Sequence, residues 1–351
     1  MTSASIRGIG LTLAFASAVW STAQASAVPQ NRDSPAIEEA RVVNPLLPSG
    51  PDPWIVRHGG QFYYTHTLGD RLAIWRTGDI ARLAAATPQV VWRPPAEGPN
   101  ARSIWAPELH RFGGKWYLYY TAAASGADDD AHRGVFVLEN ASADPLTGRW
   151  IDRGRVNTRH PGIDGTVFEH GGRRYFAYSP YVGPESVLAV AEMANAWTLV
   201  GPEVVIARPT LDWEMRGGRR ILEGPEFLRG PGGDLFLTYS ASACWSDDYA
   251  LGLLRASSGA DPLDPAAWIK SPRPVLAKSP RNGVYAPGHN GFFTTDGGRS
   301  HWIVYHANPG PGMGCTAKRS PRAQRFTWTR DGAPAFGEPV RAGPVPPSVR
   351  R

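Results

Sequence analysis

The chain is poor in cysteine, methionine and charge. Its 351 residues hold two cysteines, four methionines and 19% charged side chains. Two cysteines exclude a disulfide-stapled miniature fold and a cysteine zinc site, and leave Cys244 and Cys315 either to pair in an oxidising compartment or to lie buried as thiols. No apolar run reaches the about eighteen residues that a membrane-crossing helix needs. The basic excess is small, 37 Lys+Arg against 31 Asp+Glu, and scattered except for Lys318, Arg319, Arg322 and Arg325, so no nucleic-acid partner is expected. Glycine, proline and aromatics are abundant: 39 Gly, 33 Pro, 13 Trp, 12 Tyr and 12 Phe. Aromatics suit pleated surfaces and Gly/Pro punctuate them, which predicts many short strands joined by tight turns and argues against a helical bundle or a doubly wound α/β fold.

The first twenty-five residues read as an export signal. Arg7 supplies the positive end, residues 9–20 form a short apolar run, and Ala23-Gln24-Ala25 offers small residues for cleavage. A secreted or periplasmic protein with no membrane attachment after cleavage is expected, with residues 26–40 a flexible segment before the folded domain.

One motif returns five times, a glycine pair followed by an aromatic-rich strand. The second glycines are Gly60, Gly114, Gly172, Gly233 and Gly298. Each pair reads as a hairpin turn, because glycine accepts the positive φ that such turns demand. Several strands repeating at roughly sixty residues are the pattern of propeller blades. The expected fold is all-β, a five-bladed β-propeller over residues 41–351, rather than a β-sandwich.

In a propeller the first strand of each blade lines the axis, so equivalent positions converge on one pocket. Asp52 and Asp164 stand eight residues before the second glycine of their copies; Glu223 stands ten before in the fourth, which has a longer turn, and His289 nine before in the fifth. Ala106 takes the place in the second. Each acid taken alone could be an ordinary turn or loop residue. In common register, three carboxylates from three blades point to glycosidic bond cleavage: one protonated acid assists the leaving oxygen, one carboxylate activates water, and a third acid raises the donor's pKa by like-charge repulsion. These acids alone are too few for a calcium cage.

The segments Gly50-Pro51-Asp52-Pro53-Trp54, Trp105-Ala106-Pro107-Glu108, Ile163-Asp164-Gly165-Thr166, Leu222-Glu223-Gly224-Pro225-Glu226 and Ala286-Pro287-Gly288-His289-Asn290, with the closing stretch from Arg319 to Gly332, resemble glycoside hydrolase family 43. The resemblance implies an inverting five-bladed propeller in which Asp52 is the general base, Asp164 the tuning acid and Glu223 the general acid, with Glu226 as its rival. It further implies that His289 helps hold a central ion, usually calcium with waters, that Arg319 binds substrate with Arg322 as competitor, and that no organic cofactor is needed. Trp54 and Trp105 are candidates for the apolar face under a pentose ring, though a Trp here can equally fill the space between blades.

Within the family, residues 69–76, 242–252 and 319–328 resemble the α-L-arabinofuranosidase branch, including exo-acting enzymes. The expected partner is plant arabinan or arabinoxylan. The alternatives are a β-xylosidase or endo-arabinanase of the same family, or a non-catalytic sugar-binding propeller.

Overall fold

The structure, a computed structural model, describes residues 41–346. The expected signal (1–25) and the segment 26–40 lie outside the described residues. Within them the fold is all-β, its helices being short 3-10 segments, and no helix is long and apolar enough to cross a membrane.

The strands form five antiparallel units, each opened by one copy of the glycine motif. The first comprises Trp54–His58, Gln61–Thr65, Leu72–Thr77 and Gln89–Trp92; the second Arg102–Phe112, Lys115–Ala123, Arg133–Asn140 and Ile151–Arg155. The third comprises Gly162–His170, Arg173–Val182, Leu188–Asn195 and Thr198–Ala207; the fourth Arg220–Arg229, Leu235–Ala241, Ala250–Ala256 and Ile269–Lys270. The fifth comprises Tyr285–Thr295, Ser300–Asn308, Ser320–Trp328 and Pro334–Ala335. A two-residue strand, Glu185–Ser186, pairs in parallel with Arg220 and Ile221 and joins the third and fourth units into one nine-stranded sheet.

In the first three hairpins both glycines have φ between 57 and 78°. That is the type I′ geometry that matches the twist of the flanking strands, and L side chains rarely adopt it.

Burial places these units in a ring. The apolar side chains collect into five clusters, each at the seam of two consecutive units: Tyr63 and Ile74 meet Leu109 and Leu118, for example, and Tyr117 and Val137 meet Phe176 and Ala189. One seam joins the last unit to the first, with Phe293, Trp302 and Val304 against Ile55, Phe62 and Tyr64. The first strands of the units adjoin one another in the same cyclic order. At the ends of the described chain, Val43–Asn44 pairs with Gly343–Pro344, and the Asn44 side chain exchanges two hydrogen bonds of 2.8 Å with the Ala323 backbone.

Candidate active site

The glycine repeat positions the site through a backbone feature that recurs in or just before the first strand of each unit. Asp52, Ala106, Asp164, Gly224 and His289 all have left-handed φ, at 55, 44, 58, 54 and 45°. For a non-glycine residue this conformation costs roughly 1–2 kcal/mol. It aims each backbone N–H at a side chain of the preceding unit. Asp52 N–H donates to His306 Nδ1 (3.1 Å), Ala106 to Thr67 Oγ1 (2.7 Å), Asp164 to Thr121 Oγ1 (2.9 Å) and His289 to Ser240 Oγ (2.7 Å). Three acceptors, Thr67, Thr121 and Ser240, stand seven residues after the second glycine of their motif. The fifth contact breaks the pattern: Gly224 N–H donates to Asp164 Oδ2 at 2.9 Å, and the corresponding hydroxyl, Ser179, is buried without a partner.

This ring corrects the expected register of the fourth unit. The residue equivalent to Asp52 and Asp164 is Gly224, not Glu223, which stands one position earlier and matches Trp105 of the second unit. Asp52 and Asp164 are buried in the ring, whereas Glu223 is partly open to solvent. Glycine fits beside it: it takes the φ of 54° without strain, and an added Cβ would crowd His289 Nδ1 at 3.1 Å. Glu226 belongs one layer deeper. It is buried 3.4 Å from the Thr166 hydroxyl, and its close charged neighbour there is the equally buried Glu108.

The three carboxylates have different surroundings. Asp52 Oδ2 accepts from the Thr67 hydroxyl at 2.6 Å, while Oδ1 faces His306 Nδ1 at 3.3 Å, His289 Nδ1 at 3.4 Å and Arg319 Nη1 at 3.5 Å. Burial pushes the Asp52 carboxyl upward, but His289, Arg319 and His306 together outweigh it and hold the group well below the usual carboxylate range. Burial also drives both histidines toward the neutral form, His306 to about 4, so Arg319 is the standing positive charge beside Asp52 at neutral pH.

Glu223 goes the other way. Burial raises it to about 7 against the Tyr249 hydroxyl, which donates to Oε1 at 2.7 Å; the charge of Asp52 raises it further, and Arg319 and Arg219 oppose. Asp164 is raised well above the usual range, by burial first and then by the charges of Glu223 and Asp52. The like charge expected to lift Glu223 thus comes from Asp52, and Asp164, expected to do the lifting, is itself raised by the charge of Glu223.

His289 Nδ1 lies between Asp52 Oδ1 and Asp164 Oδ2, at 3.4 and 3.9 Å. Calcium takes six to eight oxygen ligands. Asp52 and Asp164 already spend one oxygen each on Thr67 and Gly224, and among the described residues no set of three or more His, Cys, Asp or Glu is grouped to hold a metal. The donor set does not fit a calcium held by protein groups, and no step below runs through a metal.

Of the two candidate arginines, Arg319 reaches Asp52, while Arg322 is buried with one Nη donating to the Val340 carbonyl at 3.3 Å. Trp54 is spent on packing at the seam of the first two units: its indole N–H donates to the Leu109 carbonyl at 3.0 Å and its ring lies 4.7 Å from that of His110. The Arg133 guanidinium covers the Trp105 ring at 4.4 Å. Sequence reasoning misses Thr67, Thr121, Ser240, His306 and Tyr249. The three hydroxyls are nonetheless legible in the repeat, since they keep a fixed distance from the glycines. Nothing local marks Tyr249.

Cys244 and Cys315 form a disulfide, with Cα atoms 5.3 Å apart. It links the segment leading to Tyr249 with the segment leading to Arg319, so the hydroxyl beside Glu223 and the guanidinium beside Asp52 both come from stapled chain.

A site that keeps one carboxylate ionised beside an arginine and another protonated toward solvent is equipped to cleave acetals by acid and base. The chain belongs to glycosyl hydrolases family 43, whose model matches residues 42–334, and is a glycosidase. It is similar to the extracellular exo-alpha-(1->5)-L-arabinofuranosidase of Streptomyces avermitilis, 39% identical over 91% of this chain and 68% of that protein. It is also similar to the protein of the same name from Streptomyces chartreusis, 41% identical over 75% of this chain and 81% of that one. Among solved structures, an alpha-L-arabinofuranosidase from Lactobacillus brevis superposes with a TM-score of 0.81 at 33% identity, covering 86% of this chain and 98% of that one.

Proposed function

We propose that residues 41–351 form a five-bladed β-propeller whose axial pocket removes terminal α-L-arabinofuranosyl units from arabinan or arabinoxylan with inversion at the anomeric carbon. The observation that carries this reading is the opposed protonation of Asp52 and Glu223. Glu223, protonated up to about neutral pH, donates its proton to the glycosidic oxygen as the bond to the anomeric carbon breaks. Asp52, ionised at neutral pH, takes a proton from the water that attacks the opposite face; this geometry requires roughly 6.5–9.5 Å between the two carboxyl groups. Asp164 holds the Gly224 N–H and thereby the backbone that carries Glu223. Arg319 keeps Asp52 ionised and is placed to bind the sugar.

The cyclic order of the five seams supports the propeller. The names of the relatives support the sugar and the terminal mode of attack, and the word "extracellular" in those names agrees with export directed by residues 1–25.

Release of nitrophenol from 4-nitrophenyl α-L-arabinofuranoside and β-D-xyloside, compared side by side, tests the reading. The expected result is arabinoside cleavage that falls by roughly 10²–10⁴-fold in Glu223→Ala and in Asp52→Ala, with an unchanged fold. A preference for the xyloside, or full activity of Glu223→Ala on α-1,5-linked arabinobiose, whose sugar alkoxide needs a proton to leave, overturns it.

A further inference from the structure

The strap that ends at Tyr249 begins at Cys244, and its second residue is Trp245. Trp245 is 48% exposed, the one Trp, Tyr or Phe among the described residues that stands more than a third open to water. Leaving an indole in water forgoes the burial by which the other aromatics stabilise the fold.

The ring is nonetheless fixed. Its Nε1–H donates to the Gly217 carbonyl at 2.9 Å. Gly217 has φ +80°, and a Cβ there would lie 2.7 Å from the Ala243 Cβ and 3.2 Å from the indole nitrogen, so only glycine leaves the slot open. The disulfide pins the residue before Trp245. Two residues after it, the Asp247 carboxylate accepts from Gly312 N–H at 2.9 and 3.1 Å.

Both segments that hold the indole lead to Glu223. The strap delivers the Tyr249 hydroxyl to Glu223 Oε1 at 2.7 Å, and the segment containing Gly217 continues through Arg219, one of the charges acting on Glu223, into the strand that carries Glu223. The group that protonates the glycosidic oxygen lies on the side of the departing sugar. We propose that Trp245 is the platform on which the pentose ring on the leaving side of the scissile bond stacks, held in place by the Cys244–Cys315 staple. This rests on the reading of Glu223 as the general acid. A fixed indole face offers the C–H surface of a sugar ring an apolar partner without the cost of ordering the side chain.

The test compares two substrates that share the transferred sugar and differ in the leaving group: α-1,5-linked arabinotriose, which leaves as a disaccharide, and methyl α-L-arabinofuranoside, which leaves as methanol and has no ring to stack. Trp245→Ala is expected to lower kcat/KM on the triose roughly tenfold and to change it by less than about twofold on the methyl glycoside, with Trp245→Phe recovering most of the loss. An equal fall on both substrates, or no fall on the triose, overturns the proposal. Should the wild type cleave β-xylosides instead, the assigned sugar fails, and the same ratio taken with xylotriose and methyl β-D-xyloside decides the platform.

Discussion

The Tyr249 hydroxyl donates to Glu223 Oε1 at 2.7 Å while the Tyr249 ring lies 5.8 Å from the His306 ring, within 8° of parallel. His306 in turn accepts the Asp52 backbone N–H. One aromatic stack therefore links the surroundings of Glu223 to those of Asp52.

Tyr249→Phe keeps the stack and removes the donor. Because that hydrogen bond favours the ionised carboxylate, its loss should raise the Glu223 pKa and shift the basic limb of the pH–rate profile upward from about 7, by about one pH unit. The limb belongs to the coupled Asp164–Glu223 pair, so it is read as one apparent value. A profile of kcat/KM against pH on an aryl pentoside checks this, and an unmoved limb refutes it.

Gly288→Ala should displace Tyr249 from Glu223 with both residues left in the sequence. A Cβ at Gly288 would lie 2.1 Å from Tyr249 Cε1, and the tyrosine is buried with nowhere to withdraw. Activity is expected to fall at least as far as in Tyr249→Phe. In a Tyr249→Ala background, where the clash with the ring is absent and only Ser240 Oγ stays close at 3.1 Å, the same substitution should cost less than it does in the wild type.

Arg319→Met takes away the standing positive charge 3.5 Å from Asp52 Oδ1. Burial then has less to oppose it, and the acid limb of the profile should rise by roughly 1–2 pH units. Arg319→Lys should restore most of the shift. Weaker substrate binding with an unmoved acid limb would assign the arginine to the sugar alone.

Glu223 should be a stability cost above neutral pH. Its folded pKa of about 7 exceeds the ordinary 4.5, so the native state holds a proton that the unfolded chain has released, and stability falls as pH rises through that window. Glu223→Gln has no proton to lose. Its melting temperature relative to wild type should therefore increase between pH 4 and pH 8, and a difference independent of pH would contradict the raised pKa.

Much of the site is legible in the residues alone. Asp52 and Asp164 stand out because they keep one distance from a glycine pair, and that distance is fixed by a hairpin whose geometry is local. Thr67, Thr121 and Ser240 obey the same rule and are legible in the same way. Glu223 is marked by the Glu-Gly-Pro segment rather than by its register, since the fourth unit has a longer turn and the ring position falls on Gly224. Its rival, Glu226, is separated only by depth: Glu226 is buried beside Thr166, and Glu223 looks outward. Trp54 reads equally as a sugar platform or as filling, and packing at the seam with His110 decides it.

The sequence by itself determined the strand pairs, the turns that join them and the order in which acids arrive at the axis, because each follows from φ preferences and apolar alternation within a few residues. Only the tertiary structure decided which charges those acids meet. The partners of Asp52 and Glu223 come from Arg319, His306 and Tyr249, and the staple from Cys244 and Cys315, 71 residues apart in the chain. The pKa of a buried carboxylate is set by such neighbours in space, and no local pattern records them.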